Sequence, residues 1–420
     1  MMSIFDELES NVRSYCRTFP DIFEKAKGAS LYSESGRCFL DFFAGAGALN
    51  YGHNNTFIKS RVLRYLEGDN VLHALDMSTT AKRAFMDTFR NMVLRPRGLD
   101  YRMQFCGPTG TNAVEAALKV ARKAKKRPGI FSFVGGFHGM SLGALAVSSN
   151  GASRAGAGVP LPNVTFVPYP QDSHASIDTI DYMESLLRDG HSGVEKPAAI
   201  IFETVQAEGG VNIAPNRWMQ RLRDLCDQHD IVLICDDIQV GCFRTGPFFS
   251  FERGGIVPDI VVLSKSISGL GLPMSLVLLK PDLDVWEPGE HTGTFRGNQM
   301  AFVGAKAAIE YAAEYNLEAE VKRKEEFIRE RLTNGIVGID DGIEIRGVGM
   351  IWGVDLSQAG GSEAARMVSA KCFERDMIIE RAGRDDTVIK LLPPLTIEDD
   401  LLEQGCRILL QSIADVVKER

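Results

Sequence analysis

Residues 231–265, IVLICDDIQVGCFRTGPFFSFERGGIVPDIVVLSK, contain two short apolar runs that end in charged residues. The first run, IVLIC, leads into Asp236 and Asp237, and the second, IVVL, is followed closely by Lys265. Continuous runs of β-branched and aliphatic residues bounded by Gly, Pro or Asp are typical of strands buried on both faces of a sheet. The stretch therefore predicts two buried strands with charged side chains at their carboxyl ends.

Similar runs recur between residues 101 and 280, and segments with helical spacing lie between several of them. The runs are YRMQFCG, GIFSFVGG, NVTFVPY, AAIIFETV, IVLICDD, DIVVLSK and SLVLLKP. One helical stripe consists of Val114, Ala117, Leu118 and Ala121, and another of Trp218, Leu222 and Leu225. Alternating strands and helices predict an α/β fold with a mainly parallel sheet.

The chain beyond residue 300 has a different pattern. AFVGAKAAIEYAAEYNLEAEVKRKEEFIRERL (301–332) predicts a long helix whose only interior breaker is Gly304, and a final helix follows Thr396 and Asp399, which form a capping-box pattern. LYSESGRCFLDFFAG (31–45) resembles a β-hairpin. We expect a smaller α/β domain built from residues 1–60 and 306–420, around a large domain at 61–305.

Composition and charge exclude several classes of protein. The 420 residues are 45% apolar and 24% charged, which is usual for globular proteins, and the net charge of −8 disfavours a nucleic-acid binder. The N-terminal MMSIFDELES lacks the regions of a signal peptide, and no apolar run approaches membrane-spanning length. Eight cysteines without a C-x-x-C pair predict reduced, buried thiols, so we expect a cytoplasmic protein. The histidine spacing predicts no metal site.

FCGPTGTNAVEAALKVAR (105–122) runs from a strand through a glycine turn into a helix. The free amides and the dipole of a helix N-terminus attract anions, so Gly110 and Thr111 are candidates to hold a phosphate. Asn112 and Glu115 match a capping box, and the ending GK[ST] of a Walker A loop is absent. A capped helix start without a ligand is an equally good interpretation of this segment alone.

Asp236 and Lys265 follow neighbouring predicted strands, where open α/β sheets bind ligands. A carboxylate facing a pyridine nitrogen keeps that nitrogen protonated, and a desolvated lysine becomes a nucleophile that forms imines. Taken singly, Asp236 could equally be a metal ligand or a helix cap, and Lys265 a surface charge. Phe137, in GGFHG (135–139), could stack on a ring or pack in a core. Together with the phosphate cup, these residues predict a site for pyridoxal phosphate.

A dinucleotide-binding site is the competing hypothesis. FFAGAGALNYGHNN (42–55) begins like G-x-G-x-x-G, but Asn50 stands in place of the third glycine and YGHNN disfavours the helix that should follow. The motif therefore argues against a nicotinamide dehydrogenase.

Four segments resemble signatures of the class III, fold-type I aminotransferases: FETVQAEGG (202–210), DDIQVGCFRTG (236–246), LSKSISGLGLPMS (263–275) and HTGTFRGNQMA (291–301). The resemblance implies that Lys265 binds pyridoxal phosphate covalently and that Asp236 pairs with its pyridine nitrogen. It implies further cofactor contacts from Gly110, Thr111, Phe137, His138, Gln239 and Thr294. In the family this threonine reaches the phosphate of the neighbouring subunit, which implies a homodimer or a larger homo-oligomer.

Within the family, residues 9–28, 42–55 and 388–400 resemble the branch that acts on diaminobutyrate and 2-oxoglutarate in ectoine synthesis. This resemblance implies that glutamate donates its amino group to aspartate 4-semialdehyde. Many family members have an arginine where this chain has Lys390, and Glu208 matches the glutamate that pairs with it. We hypothesise that Glu208 and Lys390 pair for one substrate and separate for the other, although Lys390 could also be a surface lysine beside a proline turn.

Other functions share the same cofactor residues. Ornithine, 4-aminobutyrate or acetylornithine transamination, a semialdehyde aminomutase, and a cofactor-binding protein without catalysis all remain open at this stage. Intact Lys265 and Asp236 disfavour the last of these.

Overall fold

The computed structural model describes residues 4–170 and 177–419. In chain order, the strands are β1 Phe23–Lys27, β2 Ser30–Ser33, β3 Cys38–Asp41, β4 Arg102–Phe105, β5 Ile130–Phe133, β6 Val164–Val167, β7 Ala199–Phe202, β8 Val205–Gln206, β9 Asn212–Ile213, β10 Val232–Asp236, β11 Ile260–Leu263, β12 Leu276–Leu279, β13 Glu344–Val348, β14 Ile351–Asp355, β15 Met377–Ile378, β16 Glu380–Ala382 and β17 Val388–Leu391. The α-helices are α1 Ile4–Leu8, α2 Tyr15–Thr18, α3 Ala44–Gly47, α4 Thr56–Glu67, α5 Thr80–Phe89, α6 Gly110–Lys125, α7 Leu142–Val147, α8 Gly151–Ala155, α9 Thr179–Arg188, α10 Asn216–His229, α11 Gln299–Glu314, α12 Leu317–Ile336, α13 Gly361–Glu374 and α14 Asp399–Lys418.

Seven strands form the largest sheet, in the order β4-β12-β11-β10-β7-β5-β6. β12 runs antiparallel to both of its neighbours, β11 and β4. The pairs β11–β10, β10–β7, β7–β5 and β5–β6 are parallel. The predicted mainly parallel seven-stranded sheet is confirmed, and the carboxyl ends of β5, β7, β10 and β11 meet at one edge.

Alternate residues of β10 face two separate hydrophobic cores, because successive side chains of a strand point to opposite faces. Leu233 and Cys235 pack in the core that contains the apolar stripe of α10. Val232 and Ile234 pack in the core that contains the stripe of α6. All five residues of β10 are therefore buried, and Asp236 is carried to the edge of the sheet on a strand that is held from both sides.

Two smaller sheets bring the ends of the chain together. β1, β2 and β3 are antiparallel neighbours, which confirms the predicted hairpin, and β15 pairs in parallel with β3. β13, β14, β17 and β16 form an antiparallel sheet. A shared core joins residues 29–58 with residues 307–416, so distant parts of the chain stabilise each other.

Two helix boundaries differ from the predictions. The single helix expected over 301–332 is interrupted, because α11 ends at Glu314 and Asn316 has a left-handed φ of 46° before α12 begins. Asparagine tolerates this conformation better than most residues. The final helix, α14, has Glu398 as its N-cap and not Thr396, and no side-chain bond caps it.

The described cysteines and helices bear on two further predictions. All eight cysteines are free thiols and six of them are buried, but Cys16 and Cys38 are exposed, so the prediction of buried thiols is wrong for these two. Within residues 4–170 and 177–419, no helix combines the length and apolarity needed to cross a membrane.

Candidate active site

Asp236 ends β10 at the carboxyl edge of the sheet and forms a buried pair with His138. His138 Nδ1 lies 2.7 Å from Asp236 Oδ2, and the backbone N–H of Ile238 donates to Oδ1 at 3.2 Å. His138 belongs to the loop after β5, and its own N–H donates to Ser148 Oγ at 2.8 Å. Donors from two sides thus hold the Asp236 carboxylate in one orientation, which suits an anion that faces a protonated ring nitrogen.

Lys265 begins a 3-10 turn, Lys265–Ser268, directly after β11. Its φ of 52° is unusual for a residue with a side chain, and such strained conformations are frequent at functional sites. Burial lowers the pKa of the Lys265 amine; Glu208 opposes this effect and Lys390 adds to it. A larger uncharged fraction makes the amine a better nucleophile and proton acceptor.

The N-terminus of α6 forms a cup lined by backbone and hydroxyl groups. α6 begins at Gly110 after the N-cap Thr109, and a Cβ atom on Gly110 would lie 2.8 Å from Ile238 Cδ1. Thr111 Oγ1 is 2.7 Å from Ser141 Oγ. First-turn amides have no acceptor within the helix, so the cup offers donors to a phosphate.

The capping box of this helix lies three residues earlier than the sequence predicts. Asn112 is the third residue of α6 and pairs with Thr109, whose N–H and hydroxyl both donate to Asn112 Oδ1. Glu115 instead accepts three hydrogen bonds through its Oε1, from the Ser141 hydroxyl at 2.6 Å, the Gly143 N–H at 2.8 Å and the Ala144 N–H at 3.1 Å. Glu115 therefore orients the Ser141 hydroxyl, which contacts Thr111 Oγ1.

The Phe137 backbone forms a hydrogen bond with the side chain of Glu203. The Phe137 N–H donates to Glu203 Oε2 at 3.1 Å, while the Phe137 side chain keeps 36% of its surface exposed. Burial, with a smaller contribution from Asp236, raises the pKa of Glu203 well above its ordinary value. The sequence pattern suggested no role for Glu203, which here fixes the loop that carries Phe137 and His138.

Lys390, Glu208, Gln239 and Glu380 form a second polar cluster. Lys390 is fully buried, so the hypothesis of a surface lysine is wrong. Its Nζ lies 2.7 Å from Glu208 Oε1, 2.9 Å from Glu380 Oε1 and 3.2 Å from Gln239 Oε1. The Gln239 amide nitrogen donates to Glu208 Oε1 and to Ala46 O, both at 3.0 Å. The structure thus places Gln239 against this cluster.

Charges in the cluster depend strongly on each other. Desolvation opposes ionisation of Glu208, but the Lys390 and Lys265 ammonium groups lower its pKa to about 2. Desolvation likewise disfavours the charged Lys390, yet its two carboxylate neighbours raise its pKa above the ordinary value. Burial raises the pKa of Glu380 to about 7. The Glu208–Lys390 ion pair is therefore firmly charged at neutral pH.

Tyr15 and Glu380 are members of this region that the sequence analysis missed. Partial burial, Glu380 and Glu208 raise the pKa of Tyr15 to about 12, and its ring packs 5.0 Å from that of Phe43. Glu380 is the cross-strand partner of Lys390 in the β16–β17 ladder. The sequence alone could not have pointed to Glu380, because its position opposite Lys390 depends on the register of that ladder.

Thr294 lies apart from the residues above. It is exposed, and its carbonyl oxygen accepts from His73 Nε2 at 3.0 Å. Among the described residues, no hydrogen bond joins it to Lys265, Asp236 or the cup at Gly110. A role for Thr294 at the active site would therefore need a second subunit.

Known proteins similar to this chain are aminotransferases. Residues 13–413 match the family model described as aminotransferase class-III. Diaminobutyrate–2-oxoglutarate transaminases from Bordetella parapertussis and Streptomyces anulatus are 53% and 51% identical, covering 100% and 99% of this chain and 96% and 98% of their own lengths. A structure of Toxoplasma gondii ornithine aminotransferase, with pyridoxal phosphate at partial occupancy, has a TM-score of 0.86 and 25% identity, with coverage of 99% and 94%.

The fold and the strand-end lysine and carboxylate define a transaminase that depends on pyridoxal phosphate. The chain belongs to the class-III aminotransferases. The residues present fit the cofactor, since Gly110 keeps the anion cup free of a Cβ, Asp236 is oriented for a ring nitrogen and Lys265 is held nearby in a desolvated position.

Proposed function

We propose that the enzyme transfers the amino group of L-glutamate to L-aspartate 4-semialdehyde, yielding 2-oxoglutarate and L-2,4-diaminobutyrate, as the first step of ectoine synthesis. The names of relatives that are 51–53% identical over nearly their whole length support this reaction. The observation that carries it is the cluster of Glu208, Lys390 and Glu380, in which Lys390 and Glu380 are buried and Glu208 is partly exposed. All three residues perturb the pKa of Lys265. Such a cluster presents both signs of charge to substrates that differ in charge.

Each predicted cofactor residue receives a proposed role. Pyridoxal phosphate, when bound, supplies a protonated ring that stabilises negative charge at the carbon next to the reacting nitrogen. Asp236 keeps the ring nitrogen protonated and His138 orients Asp236. Gly110 and Thr111 hold the phosphate. The remaining roles are ring stacking by Phe137, contact near the ring hydroxyl by Gln239, and phosphate binding across a dimer interface by Thr294.

Lys265 is the proposed proton carrier. Its amine would hold the cofactor aldehyde in the resting enzyme and would be set free when a substrate amine takes its place. The freed Lys265 Nζ would accept the proton from the substrate carbon that bears the amine, and in the reverse direction it would give a proton back to that carbon. The lowered pKa of Lys265 favours this role, because only the uncharged amine accepts a proton.

Glu208 and Lys390 adapt one pocket to two substrates. While the semialdehyde or diaminobutyrate reacts, Glu208 stays paired with Lys390 at 2.7 Å. When glutamate reacts, Glu208 turns away and Lys390 receives a carboxylate of glutamate. Lysine lacks the two-pronged donor of arginine, so it binds this carboxylate with fewer hydrogen bonds.

A half-reaction screen tests the proposed reaction. The purified enzyme receives diaminobutyrate, ornithine, 4-aminobutyrate or glutamate separately, and loss of the visible absorbance of the bound cofactor reports amino transfer. We expect diaminobutyrate and glutamate to react fastest. If diaminobutyrate is inert while ornithine or 4-aminobutyrate reacts, the substrate assignment is wrong. The control is Lys265→Ala, which should neither react nor retain cofactor after borohydride reduction.

Two variants of Lys390 test the proposed switch. Lys390→Ala should raise the glutamate KM by about 10-fold or more, because one charge-assisted hydrogen bond contributes roughly 1.5–3 kcal/mol. Lys390→Arg keeps the charge and should preserve glutamate binding. An unchanged glutamate KM in Lys390→Ala would remove Lys390 from the substrate site.

We further infer a homodimer or a larger homo-oligomer in which Thr294 of one subunit completes the site of the other. The exposure of Thr294 supports this inference. Light scattering on the purified protein measures the mass, and Thr294→Ala should weaken cofactor retention without changing that mass. A monomer would contradict the inference.

The last two parts of the proposal concern the domain division and the cellular location. We infer a division near residues 60 and 305, supported by the core that residues 29–58 share with residues 307–416. We place the enzyme in the cytoplasm, supported by its eight free thiols, which suit a reducing compartment. Cell fractionation with an antibody to the chain checks the location.

A further inference from the structure

Glu380 is held in place by the sheet that carries Lys390. The two residues are directly opposite each other in the antiparallel β16–β17 ladder, so their side chains share one face. The Glu380 side chain keeps only 7% of its surface exposed, and its Oε1 lies 2.9 Å from Lys390 Nζ. The register of the ladder and the burial of this side chain therefore keep the carboxylate beside Lys390.

Glu208 is held less firmly. It follows the two-residue strand β8, in the turn before β9, and its side chain keeps 31% of its surface exposed. Both carboxylates contact the same ammonium group, but only Glu208 has free surface into which it could turn. A substrate carboxylate that binds Lys390 would thus displace Glu208 and leave Glu380 in position.

Glu380 also retains spare acceptor capacity. Its buried Oε1 lies 2.9 Å from Lys390 Nζ, and Lys390 is its one hydrogen-bonding side chain among the described residues. An ionised carboxylate offers about four lone-pair sites, so one ammonium neighbour leaves most of them for a ligand. The other donors of Lys390 go to Glu208 at 2.7 Å and Gln239 at 3.2 Å.

The Glu380 carboxylate lies beside Lys390, in the region where we propose that substrate binds. Glu380, Glu208 and Lys390 each perturb the pKa of the Lys265 amine, and Glu380 is also the strongest charged influence on the pKa of Tyr15. With Glu208 in place, the cluster contains two carboxylates and one ammonium group. Its excess of negative charge favours a ligand that brings a second ammonium group.

We propose that Glu380 determines specificity by accepting a hydrogen bond from the α-ammonium group of the acceptor amino acid, the end of the molecule that does not react. This inference rests on the proposed function and names the residue that recognises its substrate. It also explains how one pocket distinguishes two amino acids. When Glu208 turns away for glutamate, Glu380 remains beside Lys390 and neutralises it, so glutamate binds through hydrogen bonds without a net charge attraction.

Two amines that differ only in the recognised group provide the test. 4-Aminobutyrate has the carbon chain of diaminobutyrate but no α-ammonium group. Their kcat/KM values are compared in the wild-type holoenzyme and in Glu380→Gln, at a pH well above the Glu380 pKa of about 7. We expect the preference for diaminobutyrate to fall by about 10-fold or more in the variant, the usual effect of losing a charged hydrogen bond.

Glutarate binding provides a measurement that does not depend on catalysis. Glutarate is a dicarboxylate that cannot donate an amino group, and calorimetry measures its affinity. Without the Glu380 charge, Lys390 should attract it more strongly, so Glu380→Gln should bind glutarate severalfold more tightly. Glu344→Gln is the matched control, because it removes a carboxylate from the same sheet whose side chain is 76% exposed. It should change neither value.

The outcomes separate this inference from the proposed function. A wild-type enzyme that ignores diaminobutyrate contradicts the proposed function, and glutarate binding then still tests the charge of Glu380. An unchanged preference in Glu380→Gln, or an equal loss with both amines, contradicts the inference and leaves Glu380 a structural residue. If Glu380→Gln does not fold, Glu380→Asp is measured instead. It keeps the charge but withdraws the carboxylate, and it should reduce the preference in the same direction.

Discussion

At the scale of single residues, Asp236 and Asp237 show how adjacent carboxylates acquire different chemistry. Asp236 faces His138 at the edge of the sheet, whereas Asp237 accepts the Ser250 N–H at 3.1 Å and is 1% exposed. Burial raises the pKa of Asp237 to about 7. Successive residues at the end of a strand point in opposite directions, so Asp236 lies at the proposed cofactor site and Asp237 contacts the turn at Ser250.

The pH dependence of stability should report Asp237. Because its pKa is raised on folding, the folded state binds this proton more tightly, and stability falls as pH rises from about 4 to about 7, by up to roughly 1.4 kcal/mol per unit. Asp237→Asn removes this slope. Urea unfolding at several pH values should show that the free energy of unfolding of the variant rises relative to that of the wild type as pH rises.

The control for this prediction is Glu344→Gln, which also removes a carboxylate but at an exposed position. Its free energy of unfolding should stay parallel to that of the wild type. Parallel curves for Asp237→Asn would mean that Asp237 is ionised at low pH in the folded protein.

At the scale of elements, α14 illustrates how closely a helix can approach a strand end. Gly405 of α14 lies against Phe42, which follows β3, and a Cβ atom at position 405 would be 2.1 Å from Phe42 Cζ. In α12, a Cβ atom on Gly335 would be 2.3 Å from Leu410 Cδ1. The two close contacts differ in kind, because a leucine side chain can rotate away and a fully buried aromatic ring cannot.

Alanine at these two glycines should therefore have different effects. Gly405→Ala should lower the free energy of unfolding by about 1–3 kcal/mol, since forcing extra volume into a packed core outweighs the better helix propensity of alanine. Gly335→Ala, the matched control, should be nearly neutral. Thermal and urea unfolding measure both, and equal effects would contradict the distinction.

At the scale of the whole molecule, Arg244 ties together three distant parts of the chain. Its guanidinium is fully buried and donates to Asn50 Oδ1 at 2.5 Å, Pro393 O at 2.6 Å and Met350 O at 2.8 Å. The Asn50 N–H in turn donates to the Ser266 hydroxyl at 3.1 Å, next to Lys265, the proposed cofactor lysine. The N-terminal loop, the small sheet and the active site thus depend on one side chain.

Arg244→Lys should be strongly destabilising although it keeps the charge. In Arg244, two guanidinium nitrogens together reach three acceptors, and the single ammonium nitrogen of a lysine cannot reach all of them. Buried acceptors would then lose their donors, at a cost of roughly 1–3 kcal/mol each. Urea unfolding should show a loss of about 3 kcal/mol or more. Faster loss of cofactor on dialysis should accompany it. A variant with wild-type stability would show that Arg244 does not connect these segments.

How much the sequence could predict follows from the range of the interactions involved. The apolar runs predicted the strands of the large sheet and placed Asp236 and Lys265 at its edge, because strand burial and alternation are local properties. The break at Asn316 and the cap of α6 were missed because competing local signals, a long helical pattern and a second capping box, were stronger in the sequence. Thr294 remains a prediction, since its role concerns another subunit.

By itself, the sequence determined the fold class, the family and the candidates for cofactor binding, which depend on short motifs and on periodicity. Only the tertiary structure decided the surroundings of Lys390. Glu208 lies 182 positions away along the chain, and Glu380 is opposite Lys390 only in one register of two strands. Whether a charge is buried, paired or free depends on such contacts between residues far apart in the sequence, because desolvation and Coulomb energies are set by neighbours in space.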